Sequence, residues 1–221
     1  EKNGKGFIAK LSPDGKIQTL DWAKGLNAPK GMGLKGGTLY VTDIDRLHAI
    51  DTKTGKIAQT IDVPEAKFLN DIAVHADGRV FVSDMMTGKV HVLRGKTLPH
   101  FADLKKLKGA NGMLMHGGQL LVGTATGIAK VDLATGKAGL LVPVKGFGMI
   151  DGLRAYDDKY FLMSNWKGRT QLVDAQGKVT VLLDTTAKKI QSADLEYIAD
   201  KRLLLIPTFF DNRVVAYRID K

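Results

Sequence analysis

Apolar positions along this chain come in short alternating runs, not in helical stripes. The strongest runs are Thr-Leu-Tyr-Val-Thr-Asp (38–43), Arg-Val-Phe-Val-Ser-Asp (79–84), Gln-Leu-Leu-Val-Gly-Thr (119–124), Tyr-Phe-Leu-Met-Ser-Asn (160–165) and Arg-Leu-Leu-Leu-Ile-Pro-Thr (202–208). Each is strand-sized, rich in β-branched, aromatic and aliphatic side chains, and bounded by Gly, Asp or Lys at turns. No segment sustains a 3.6-residue period. The pattern predicts antiparallel β structure throughout, with turns every eight to twelve residues.

The runs repeat in phase. A polar residue stands just before a weaker strand at Lys30, Asn70, Asn111, Asp151 and Asp194, at intervals of 40, 41, 40 and 43 residues. After each comes a tight turn, then one of the strong runs, and in most units a third strand leading to a hairpin marked Gly-Lys, as in residues 51–56, 132–137 and 174–178. A four-stranded unit repeated about every forty residues is the signature of a β-propeller. A β-sandwich would not keep phase over five units. Residues 6–17 read as the third strand, hairpin and fourth strand of one more unit. The predicted fold is therefore an all-β propeller of six blades, with the inner half of the first absent from this chain; closure with five is the alternative. Blade boundaries are 1–27 for the outer part of blade 1, then 28–67, 68–108, 109–148, 149–191 and 192–221.

In a propeller the first strand of each blade lines the central channel, so the five anchors are expected to ring its mouth. Carboxylate and amide oxygens are hard ligands, suited to calcium or another divalent cation. Asn, Asp and Gly also initiate turns at strand entrances, and the period alone does not separate the two roles. The loops after each second strand should open at the same mouth. There Met85, Met86, Trp166, Phe209 and Phe210 are expected to wall an apolar substrate pocket around a polar floor that includes Lys30.

The dipeptides Asn70-Asp71, Asn111-Gly112 and Asp151-Gly152, on consecutive blades, resemble the metal-site motifs of the senescence marker protein/gluconolactonase (regucalcin-like) family. That resemblance implies a six-bladed propeller with a cation, usually calcium, at the channel mouth. It implies ligation by Asn111 and Asp151, with Asn70 beside metal and substrate. The family's remaining ligand is a glutamate in the first blade, in the part this chain lacks, so association with a separate N-terminal segment is implied as well. The function expected on this basis is metal-dependent hydrolysis of lactones or related esters, with an apolar lactone or ester suiting the walls best. The cation would polarise the carbonyl, and Asp194 or Asp71 would activate water. The alternative is a non-catalytic propeller that binds a ligand or a protein, similar to NHL-repeat proteins.

Composition narrows the partners. The formal charge is +10, but the lysines are scattered through hairpin turns and no aromatics interleave with them, which argues against nucleic acid. No apolar run reaches the roughly 20 residues needed to span a bilayer. The absence of cysteine excludes disulfides and thiolate metal sites. The chain starts at Glu1 without an initiator Met or an apolar leader, read as a processed, cloned or cleaved start, and a periplasmic or secreted location is favoured over the cytoplasm. Thr-Gly-Lys recurs without P-loop spacing and reads as hairpin chemistry. No Ser-His-Asp arrangement follows from spacing.

Overall fold

The computed structural model describes residues 2–220, and all strand pairings among them are antiparallel. Strands β1 (Gly6–Leu11) and β2 (Ile17–Leu26) form a two-stranded sheet. The next sheet runs in order through β3 (Pro29–Lys35), β4 (Thr38–Asp43), β5 (Arg46–Asp51) and β6 (Ile57–Asp62). A third holds β7 (Leu69–Val74), β8 (Val80–Asp84), β9 (Lys89–Val92) and β10 (His100–Asp103). Two more four-stranded sheets follow: β11 (Met113–His116), β12 (Gln119–Gly123), β13 (Gly127–Val131), β14 (Ala138–Pro143); and β15 (Leu153–Ala155), β16 (Tyr160–Asn165), β17 (Arg169–Asp174), β18 (Val179–Asp184). The last has three strands, β19 (Glu196–Ile198), β20 (Leu203–Pro207) and β21 (Val214–Arg218).

Five of these sheets have the make-up of a blade, the number in the alternative reading. The expected six-bladed architecture is not established, because β1 and β2 make only a two-stranded sheet. The strong apolar runs became the second strand of each blade, as their alternation requires. Turn chemistry follows the sequence closely. Asp51 accepts the N–H groups of Lys53 and Thr54, and Asp132 does the same for Ala134 and Thr135, which closes each Gly-Lys hairpin.

The chain divides into two compact units, Glu1–Phe101 and Ala102–Lys221. In the first, one core gathers Leu47, Ile61, Leu69, Val80 and Val82, and a second packs Trp22 and Ala23 of β2 against Val41 and Ile50. In the second unit Leu121, Ile128, Ile150, Leu153 and Met163 form one core, and Leu162, Leu195, Leu204 and Ile206 another. Each fully buried Leu, Ile, Val or Met among them contributes roughly 1.5–3 kcal/mol by leaving water.

Successive first strands approach so closely that glycine is needed. A Cβ on Gly31 would lie 2.4 Å from the Asn70 carbonyl oxygen, one on Gly112 2.2 Å from that of Asp151, and one on Gly152 2.6 Å from the Leu195 nitrogen. These neighbours are backbone and cannot swing away. Gly112→Ala should therefore cost about 1–3 kcal/mol or more, lowering Tm by roughly 3–10 °C. Gly139→Ala, with nothing within 4 Å of its Cβ, should stay within about 0.5 kcal/mol of the parent. Thermal unfolding of both variants checks this, and equal effects would refute the packing argument.

Candidate functional site

In the first unit the anchors are Lys30 on β3 and Asn70 on β7. The Lys30 amine donates to the Ala28 carbonyl at 2.9 Å and lies 5.3 Å from the centre of the Phe68 ring. Burial holds its pKa below the usual lysine value, against the pull of the Asp43 charge. Asn70 spends its side-chain amide on the Met85 sulfur, 3.9 Å away. Asp71, expected as a water-activating base, is only 2% exposed and sits against Gly31 of the preceding blade. One of its carboxylate oxygens accepts the N–H of Ile72, and its own N–H donates to the Ser83 hydroxyl.

In the second unit Asn111, Asp151 and Asp194 come together. The Asn111 amide nitrogen donates to Asp151 Oδ1 at 2.9 Å, and the Asp194 backbone N–H reaches Asp151 Oδ2 at 3.4 Å. Asn111 is 2% exposed, and its Oδ1 is buried without a hydrogen-bond partner. Asp194 has a left-handed backbone, φ +57°, and its carboxylate accepts the Leu195 N–H. Burial, reinforced by the charge of Asp194, pushes the Asp151 carboxyl up to about 6. Asp194 is also raised by burial, with the Arg154 charge opposing. Among the described residues no group of three His, Cys, Asp or Glu gathers in a way that could hold a metal.

The loops after the second strands divide likewise. Met85 faces Asn70, while Met86 is exposed. Trp166, Phe209 and Phe210 meet as one cluster in the second unit. Their ring centres are 4.7 Å apart for the two phenylalanines, and 5.8 and 6.1 Å from the tryptophan, all edge to face. Trp166 is 44%, Phe209 46% and Phe210 71% exposed.

Two devices escaped the sequence reading. The hydroxyls of Thr42 and Ser164 link neighbouring blades: Thr42 accepts the Gly31 N–H and donates to the Asn70 carbonyl, and Ser164 accepts the Gly152 N–H and donates to the Asp194 carbonyl. Their signal was a Thr or Ser twelve or thirteen residues after an anchor, a spacing that suggests nothing until β4 and β16 are folded back. Asp43, His48 and Thr60 also form a hydrogen-bonded row across β4, β5 and β6, at 3.2 and 2.9 Å. Asp43 is held in turn by the N–H groups of Asn27 and Ala28.

The repeated antiparallel blades, joined through glycine contacts and shared hydroxyls, are those of an all-β propeller. The chain belongs to the family described as outer membrane protein assembly factor BamB, which matches residues 4–221. This match is to that family, not to the regucalcin-like lactonases that the three dipeptides resemble. No curated protein matches the chain in sequence. Among solved structures it is similar to a catalytically inactive virginiamycin B lyase from Staphylococcus aureus with quinupristin, at a TM-score of 0.71 and 12% identity over 96% of this chain and 73% of that one. It is also similar to the extracellular domain of a two-component system from B. thetaiotaomicron, at 0.60 and 12% identity over 91% of this chain and 28% of the other. At such identity these likenesses concern the fold alone.

The Asp151 carboxyl gives a pH test. Its folded-state pKa lies above that of the unfolded chain, so its contribution to stability is fully present below about pH 4 and is lost as pH rises through about 6. Asp151→Asn should flatten that slope and leave the variant relatively more stable at pH 7, by ~1–3 kcal/mol. Melting curves of both proteins between pH 4 and 7 measure it; parallel curves would show that Asp151 does not titrate in this range.

Proposed function

We propose that this chain is a non-catalytic binding propeller serving the assembly of outer-membrane proteins, as its family's description suggests. One observation carries the reading: both carboxylate oxygens of Asp151, the most plausible chemical group among the anchors, already accept N–H groups of the fold, from Asn111 and Asp194. The other anchors support it. Asp71 is buried against Gly31, and the Asp194 carboxylate is turned onto its own strand. The family description and the extracellular-domain neighbour favour a periplasmic or extracellular location. No helix of the described residues is long and apolar enough to cross a membrane. The packing of Trp22 and Ala23 on the second sheet supports β1 and β2 as the outer half of a further blade.

A second reading, cation-assisted hydrolysis of a lactone or ester, is favoured by the unpartnered Oδ1 of Asn111 next to Asp151. The fit to calcium is poor. The amide turns its nitrogen to the carboxylate, and these two donors supply only a small part of the 6–8 oxygens that calcium takes.

Two measurements on the purified chain decide between the readings. The binding reading expects capture of an unfolded outer-membrane barrel protein diluted from urea, and no lactone or ester hydrolysis with or without millimolar calcium. Calcium-dependent hydrolysis that disappears in Asp151→Asn would replace it with the hydrolase reading.

A further inference from the structure

We propose that the Trp166–Phe209–Phe210 cluster is a tip that docks the protein onto the surface of an anionic lipid bilayer, its rings entering the headgroup region. The cluster belongs to two loops of adjacent blades, and it is exposed where core residues of this size are covered. Contiguous exposed aromatic area of this kind marks an interaction site.

Both loops are rigid. Residues 208–213 are closed by Thr208, whose N–H and hydroxyl donate to the Arg213 carbonyl while the hydroxyl accepts the Arg213 N–H. Phe209 is held at φ +53°, a left-handed conformation that costs an aromatic residue free energy and that this closure maintains. The tryptophan loop is fastened by Asn165, which accepts the Arg169 N–H and donates to the Phe147 carbonyl. The rings are thus presented in a fixed array, without an ordering cost on contact.

Charge identifies the occupant. Lys167 follows Trp166 directly. Lys188 and Lys189 lie on a turn locked to the same loop, since the N–H and hydroxyl of Thr185 donate to the Gly168 carbonyl. All three lysines are exposed, and none has a salt bridge among the described residues. The acids of these loops are neutralised: Arg213 pairs with Asp211, and Arg169 lies 3.7 Å from Asp184. Protruding aromatics flanked by free lysines, on loops that satisfy much of their backbone internally, meet what an anionic interface requires. A groove in a protein partner would have to match three edge-to-face rings in shape; a fluid bilayer imposes no such match. Docking by this tip requires neither the Asp151 site nor any catalysis.

The test uses the full chain carrying Trp22→Phe, which leaves Trp166 as the only one of two tryptophans. Vesicles of phosphatidylcholine alone and of equal parts phosphatidylcholine and phosphatidylglycerol are added. On the anionic vesicles the protein should sediment with lipid, with an apparent Kd of roughly 0.1–1 mM lipid. The Trp166 emission should shift to the blue and resist acrylamide quenching. Phe210→Ser should weaken sedimentation by about 10-fold, and Lys188→Glu by roughly fivefold or more, each with an unchanged melting temperature. Failure to sediment with anionic vesicles, or equal binding by the parent and Phe210→Ser, would overturn the proposal. So would capture of the unfolded barrel protein that is lost in Phe210→Ser while vesicles are ignored, since that outcome gives the tip to a protein partner.

Discussion

The close approach of one first strand to the next is the constraint on which the rest of this structure depends. At Gly31, Gly112 and Gly152 a methyl group would overlap neighbouring backbone, so successive blades meet main chain to main chain at these points. Such contact brings polar groups out of water and is tolerable only if they are paired. The shared hydroxyls of Thr42 and Ser164 meet that demand at two of the joints, each serving a blade and its successor. Where the second strand offers Gly123 instead, the Gly112 N–H reaches the Ile150 carbonyl directly, at 3.3 Å. The anchor dipeptides are placed by these joints.

That origin explains how the candidate site divides between architecture and chemistry. A polar residue before each first strand looks like a ligand because it recurs, but recurrence is also what a joint requires. Asp71 illustrates the second role: it lies against the preceding blade, with a carboxylate oxygen on the next N–H of its own chain. Asp194 repeats the latter bond at Leu195 with a left-handed backbone. Asn111 and Asp151 differ, because they bond side chain to side chain and leave one buried oxygen without a partner. Polarity at the anchors and apolar exposure at the loop tips are therefore separate features.

Much of the fold was legible in the sequence because short-range rules govern it. Strand alternation, the forty-residue period and the Asp-led hairpins at Asp51 and Asp132 depend on residues within a few positions of one another. Blade number was less legible, since residues 6–17 carry the pattern of an outer hairpin whatever lies beside them. The site was legible only as a list of residues. That Asn111 would turn its nitrogen to Asp151, or that Phe209 and Phe210 would join Trp166 from more than forty residues away, depends on how neighbouring blades stack. The sequence suggested the walls of an apolar pocket for those rings, but not the closure by Thr208 and Asn165 that fixes the loops on which they stand exposed.

The joint at the first strands has a bearing on how such a chain changes over generations. It consists of a glycine or another residue that fits beside bare backbone, a carbonyl that any successor provides and, at two of the joints, one bridging hydroxyl. Nothing in it identifies a particular neighbour. A unit of about forty residues can thus be duplicated or deleted between anchors and still present the same coupling to whatever follows, as one bead replaces another on a string. Surface loops escape that uniformity, and individual copies are free to specialise there.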